Sequence, residues 1–157
     1  MIKWMVVVVM FVIFYMSSQP GDLSGDISGG ISHMLMEIYN AILGLNWNDV
    51  QILQMARTWD LPIRKLAHMT EFGILAVLVF CALRSYEKIK PYRYIVTIGL
   101  CMLYAISDEI HQLFVPDRDG NVVDVFIDTL GICIALGCVW MISQLVKLIK
   151  NNNERKR

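Results

Sequence analysis

The sequence predicts an all-α fold, an integral membrane bundle of four transmembrane helices with an amphipathic helical outer loop. Three observations predict it. The 157-residue chain is 56% hydrophobic with a mean hydropathy of +0.52, high for a soluble domain. Its apolar residues come in blocks rather than at amphipathic spacing, the pattern of segments solvated by lipid. Its basic residues gather in the segments that would share one side of a membrane. The length fits one domain. A net charge of zero offers no bulk attraction to a polyanion, which sets nucleic-acid binding aside.

The first span is residues 2–16, interrupted only by Lys3, whose long stem lets its charge snorkel to the head groups. Trp4 and Tyr15 suit the two interfaces. A cleaved signal peptide is the rival reading, but Met16-Ser17-Ser18 is a poor small-x-small cleavage site. Pro20 and Gly21 together end the helix.

An outer loop follows over residues 17–64. Ser24, Ser28 and Ser32 recur at every fourth residue and share a face if this stretch is helical. Ile31, Met34, Ile38 and Ile42, then Val50 and Leu53, are spaced at three or four. That predicts one or two amphipathic helices, broken around Gly44-Leu45-Asn46 and capped by Asn48 or Asp49. They would lie on the membrane surface or over the bundle, with Trp47 and Trp59 at the interface. His33 reads as a surface histidine.

The second span is residues 65–83, where Lys65, His68 and Glu71 project from nearly one face. Arg84, Lys88, Lys90 and Arg93 mark a short basic loop. The third span, 92–115, is apolar at its start and polar at its end, with Tyr104, Asp108 and His111 in one stripe and Gln112 beside them. Pro116 to Asn121 is a tight turn by composition. The fourth span, 122–148, carries Asp124, Asp128, Gly131 and Ala135 along one face, the last two a small-xxx-small pair that lets another helix approach. Residues 149–157 are a cytoplasmic tail. Cys81, Cys101, Cys133 and Cys138 all sit in apolar blocks, with no Cys-x-x-Cys pair, and read as small buried hydrophobes.

With the N-terminus inside, the inner segments hold ten of the fourteen Lys and Arg residues: Lys3, the four of the 84–93 loop, Lys147, Lys150, Arg155, Lys156 and Arg157. The positive-inside rule therefore predicts a multi-pass protein with both termini cytoplasmic. The start of span two, the end of span three and the start of span four then share the outer half. A charge at mid-bilayer costs about 3 kcal/mol on insertion scales, so charged residues converging at one depth are a candidate site.

That constellation is His68, Glu71, Asp108, Glu109, His111, Gln112, Arg118, Asp124 and Asp128. Carboxylates held close in a low dielectric repel and must be neutralised; His68, His111, Lys65 and Arg118 are the available partners. The bland alternative is an ion-pair network that fastens helices. Among functional readings, His68, Glu71, Asp108, Asp124 and Asp128 suit proton transfer. Arg118 suits two-pronged binding of a phosphate or carboxylate, with Glu109, His111 and Gln112 beside it. No cofactor is demanded. A divalent metal is the exception to consider, because His68/Glu71 and Asp108/His111 are each at i, i+3 and could grip one ion from two helices. A pocket that recognises a head group without chemistry is the third reading, and a Ser107 nucleophile lacks any elbow motif.

The run Asp108-Glu109-x-x-Gln112-x-Phe114-x-Pro116-x-Arg118, followed by Asp124-Val125-x-x-Asp128-x-x-Gly131, resembles the signature of the VanZ-like membrane proteins. Lys65-x-x-His68-x-x-Glu71-Phe72 and Ser17-Ser18-Gln19-Pro20 fit the same pattern, so the resemblance covers essentially the whole chain. It implies a four-helix membrane domain of Gram-positive bacteria. The family's best-known member is associated with low-level resistance to teicoplanin, a lipid-tailed glycopeptide, rather than to vancomycin. By matching position the motif residues are His68, Glu71, Asp108, Glu109, Gln112, Arg118, Asp124 and Asp128. The partners it implies are membrane lipids, a lipid-linked cell-wall precursor or the lipoglycopeptide itself. The expected function is therefore reduced lipoglycopeptide susceptibility through an outer-leaflet polar site. The alternatives are a membrane enzyme, metal-dependent in one version, acting on a phospholipid or undecaprenyl-linked substrate, and a non-catalytic membrane subunit.

Overall fold

A computed structural model describes residues 1–155 of the chain and is all-helical over them. Lys156 and Arg157, counted above to the inner side, and the side chains of residues 22–24, Ser24 among them, lie outside the described residues. Five α-helices run in order: α1 (Ile2–Ser17), α2 (Gly21–Leu43), α3 (Asp49–Ala82), α4 (Arg93–Gln112) and α5 (Val122–Arg155). Two 3-10 segments, Leu83–Ser85 and Glu87–Tyr92, make the basic loop between α3 and α4.

The largest departure from expectation is at α3. The second span does not begin at Lys65: its helix starts at Asp49 and runs 34 residues, through Pro62. Asn48 starts it, with a side chain that accepts from the Gln51 N–H while Gln51 returns a bond to the Asn48 N–H. This reciprocal capping box satisfies two donors of the first turn. The expected outer loop is thus a helical hairpin, α2 against the first half of α3, and the expected break falls at Gly44, whose φ of 62° is the left-handed C-cap conformation that glycine tolerates best.

α3 packs against all four other helices. Its contact with α5 is close at glycines on both helices. A Cβ on Gly131 would stand 2.2 Å from the Met69 carbonyl oxygen, and one on Gly73 would stand 3.3 Å from the Gly131 carbonyl. The Gly131/Ala135 pair predicted from spacing is therefore the seat of α3. Ile13, Phe72, Leu75, Ala76, Phe80, Cys101, Ala105, Ile132 and Leu136 form the apolar core among α1, α3, α4 and α5. The outward faces are apolar too: Phe11 on α1, Leu103 on α4, and Phe126, Ile134 and Ile142 on α5 are all exposed. A bundle apolar both inside and out matches lipid rather than water as its solvent.

The Asp49–Ser85 stretch and α5 are long and apolar enough to cross a membrane, and α1 is a shorter apolar helix. Four crossings are not established by length and apolarity alone. α1 has 16 residues, about 24 Å at 1.5 Å per residue against a hydrocarbon core of about 30 Å. α4 carries Arg93, Asp108 and Glu109 within its 20 residues. The cysteines correct another expectation: Cys101 is buried, but Cys133 and Cys138 are exposed on α5.

Candidate functional site

Polar residues at one end of the bundle enclose a cavity of about 420 Å³. α3 contributes Arg64, Lys65 and His68, α4 contributes Glu109 and Gln112, and α5 contributes Asp124 and Asp128. Asp117, Arg118, Asp119 and Asn121 come from the loop between α4 and α5. Periodicity explains why α4 delivers its share: Thr97, Cys101, Ala105, Asp108, Glu109 and Gln112 are its buried residues, a stripe at spacings of three and four that turns from apolar to polar near the end.

The mouth is assembled by helix termini. The Glu109 carboxylate accepts the Asn121 N–H at 2.8 Å, so an acidic group sits at the N-terminal end of α5, where the helix dipole favours it. Asn121 in turn accepts the Val123 N–H at 3.0 Å. Gly120 allows this fold-back, since a Cβ there would stand 2.3 Å from the Glu109 carbonyl oxygen. Arg118 spans the loop and the end of α1, donating from Nε to the Gln19 carbonyl and from Nη2 to the Met16 carbonyl, both at 3.2 Å. It thereby adds a second donor to the Met16 carbonyl, which also accepts the Gln19 N–H at 3.3 Å, and ties the loop to the C-terminal end of α1. Burial lowers the guanidinium's pKa from its ordinary value, with Arg64 adding to the effect and Asp108 and Glu109 opposing it.

On the α3 wall Lys65 Nζ donates to Asp124 Oδ1 and forms an ion pair between α3 and α5. Arg64 Nη2 reaches Asp60 Oδ2 at 3.3 Å and Ser28 Oγ at 3.0 Å, while Ser32 donates to Asp60 Oδ1 at 3.2 Å. Ser28 and Ser32, two members of the serine repeat, thus form a polar seam between α2 and α3. Two groups of the cavity wall are left without partners. Asp128 is 2% exposed and makes no hydrogen bond or ion pair with a described residue. The Nε of Arg64 is buried with no acceptor among the described residues.

Three of the expected site residues stand outside the cavity lining. Asp108 lies in a second polar layer toward α1, where its Oδ2 accepts from Ser17 Oγ at 2.7 Å and Gln112 Nε2 at 3.1 Å. Its Oδ1 is buried and unpartnered among the described residues. His111 belongs to the α1–α4 seam, with Nε2 3.0 Å from Ser18 Oγ and its ring stacked on Phe14 at 4.4 Å. Glu71 lies 3.8 Å from His68 Nδ1. Among the described residues no group of three His, Cys, Asp or Glu side chains could hold a metal ion, and the two i, i+3 pairs do not meet. His68, Glu109, Gln112, Arg118, Asp124 and Asp128 are brought together as expected.

Sequence reading missed Arg64, Asn121 and the Ser17–Ser18 pair as parts of the polar end. The signal for the serines was present in Ser17-Ser18-Gln19-Pro20, which reads first as a helix stop. Nothing local marked Arg64, because its neighbourhood depends on how α2 folds back.

A family model described as VanZ/LLP1 matches residues 4–144, from Trp4 in α1 to Gln144 in α5, and takes in every residue of the cavity. No curated protein and no solved structure matches the chain.

Proposed function

The chain belongs to the VanZ-like family, and from that premise we propose that it lowers susceptibility to lipoglycopeptides such as teicoplanin. It does so by binding or acting on a lipid or lipid-linked head group in the polar cavity. In this reading α1, the later part of α3, α4 and the first part of α5 cross the bacterial cell membrane, with both termini cytoplasmic. The cavity then opens in the outer half, where cell-wall precursors are displayed and a lipid-tailed antibiotic anchors.

One observation carries the proposal: residues far apart in the chain, from Arg64 to Asp128, enclose a polar cavity against helices whose outward faces are apolar. Polar side chains at such depth are costly to keep, and an ion-pair network alone needs no cavity. His68 lines the cavity and is the group placed to move a proton; Asp108, one layer behind, positions Gln112 and Ser17. Arg118, held on the Met16 carbonyl of α1 and the Gln19 carbonyl just beyond it, orients an anionic oxygen without having to find its own place.

The test is teicoplanin and vancomycin susceptibility of a sensitive Gram-positive host expressing wild type, His68→Ala, Arg118→Ala and Asp124→Asn, with membrane levels equalised by blot. Wild type is expected to protect against teicoplanin alone, and the variants to lose protection at equal abundance. Variants that protect as well as wild type would reduce the cavity to scaffold. A wild type without effect would sink the resistance reading.

A further inference from the structure

We propose that the ligand of this cavity is a lipid whose head group carries a primary ammonium, with Asp128 as its counter-ion. The inference rests on the reading of the cavity as a lipid head-group site and names the chemistry of that head group.

Asp128 is the starting point. The residue is 2% exposed, lines the cavity and has no hydrogen-bond or ion-pair partner among the described residues. An acceptor buried without a partner is costly, and a charged one more so. The cations of the same wall are engaged elsewhere: Lys65 by Asp124, and Arg64 through Nη2 by Asp60 and Ser28. Arg118 donates to Gln19 and Met16. Glu109, Asp117, Asp119, Asp124 and Asp128 outnumber the cavity's three permanent cations. The charge that completes the site is positive.

Two features decide what kind of cation. A metal ion needs several converging ligands, and no such group is present among the described residues. A single carboxylate suffices for an ammonium, which brings its own donors. A quaternary ammonium is recognised by an aromatic cage, yet among the described residues no Phe, Tyr or Trp lines this cavity. Hydrogen-bond acceptors line it instead, which suits a primary amine. Arg64, Lys65 and Arg118 line the same cavity and set a positive potential for an acidic oxygen, so a zwitterionic head group, amine toward Asp128 and phosphate toward these cations, fits the lining. The cavity, at about 420 Å³, is in the range of small-molecule pockets.

The test uses the full chain purified in detergent and loaded with phosphatidylethanolamine, phosphatidylcholine or phosphatidylglycerol of identical acyl chains. Retained lipid is read by native mass spectrometry. Wild type is expected to retain phosphatidylethanolamine at least about tenfold over both others, the ratio that ~1.4 kcal/mol of selective binding gives. Asp128→Asn should abolish that preference while Glu37→Gln, on the exposed face of α2, keeps it. If Asp128→Asn does not fold, the three-lipid comparison in wild type decides alone. Equal retention of phosphatidylcholine, or preference for phosphatidylglycerol, overturns the ammonium while leaving a head-group site. Retention of no lipid by wild type overturns both readings. Displacement of the bound lipid by equimolar tail-less glycerophosphoethanolamine overturns the assignment to a lipid.

Discussion

The α3–α5 contact makes a sharp prediction, because one helix contains a crowded glycine and an open one. A Cβ added at Gly131 would lie 2.2 Å from the Met69 carbonyl oxygen, 2.6 Å from Met69 Cγ and 2.9 Å from the Met69 carbonyl carbon. At Gly137 nothing lies within 4 Å. Both glycines sit in α5, so alanine gains the same helix propensity at each, up to about 1 kcal/mol. Only at Gly131 must it force backbone apart, by about 1 Å to restore ordinary contact, and overpacking of this kind costs about 1–3 kcal/mol. Impact on a backbone carbonyl rather than a flexible chain end places it high in that range. Gly131→Ala should therefore lose about 2 kcal/mol net while Gly137→Ala gains a few tenths or more. For a chain of this size the two variants should differ in Tm by about 6–12 °C. The assay is thermal unfolding in one detergent, followed by intrinsic fluorescence and by loss of monodispersity. Equal midpoints would refute the close packing of α3 on α5. The same variant should also disturb the cavity, since Met69 follows His68 and Gly131 lies one turn beyond Asp128.

Two further predictions concern the polar end. Ser17→Ala removes the 2.7 Å donor to Asp108 and leaves Gln112 as that carboxyl's one donor among the described residues. It should cost about 1–3 kcal/mol, and pairing it with Asp108→Asn should recover part of the loss in a double-mutant cycle; additive losses would show that the contact carries no energy. Arg118→Lys keeps the charge but gives up the planar fork that holds the Gln19 and Met16 carbonyls together. Hydrogen exchange across Ser18–Gly21 should quicken by about tenfold, as for the loss of ~1.4 kcal/mol of local protection, with exchange at Asn48–Gln51 unchanged. Unaltered exchange at both places would mean that α1 is docked by its apolar face alone.

The all-helical fold, the position of the polar end and the α5 small-residue seat were legible because each rests on near-neighbour periodicity. Apolar blocks separated by short turns leave few arrangements, and residues at steps of three and four share a face whatever the rest of the chain does. The cap at Asn48 was legible, but the continuity of α3 into the second span was not. The outer-loop helix and the second span were expected as separate elements, but the helix capped at Asn48 runs unbroken through Pro62 to Ala82, with α2 packed along its first half. Propensity lost to tertiary context there.

Within the site, depth could be read from the sequence but azimuth could not. Asp108 and Glu109 are adjacent and equally deep, yet one turns to Ser17 on α1 and the other to Asn121 at the head of α5. Successive helical residues diverge by about 100°, so a site read as one cluster divides into two layers. Gln112 belongs to both, since it lines the cavity and donates to Asp108 from behind. That gives the inner layer a purpose separate from the proposed ligand: it fixes the orientation of a wall residue. Substitutions in the two layers should then differ in kind. Changes at Ser17 or Asp108 should appear first in stability and orientation, whereas changes at Asp128 or His68 should appear first in what the cavity retains.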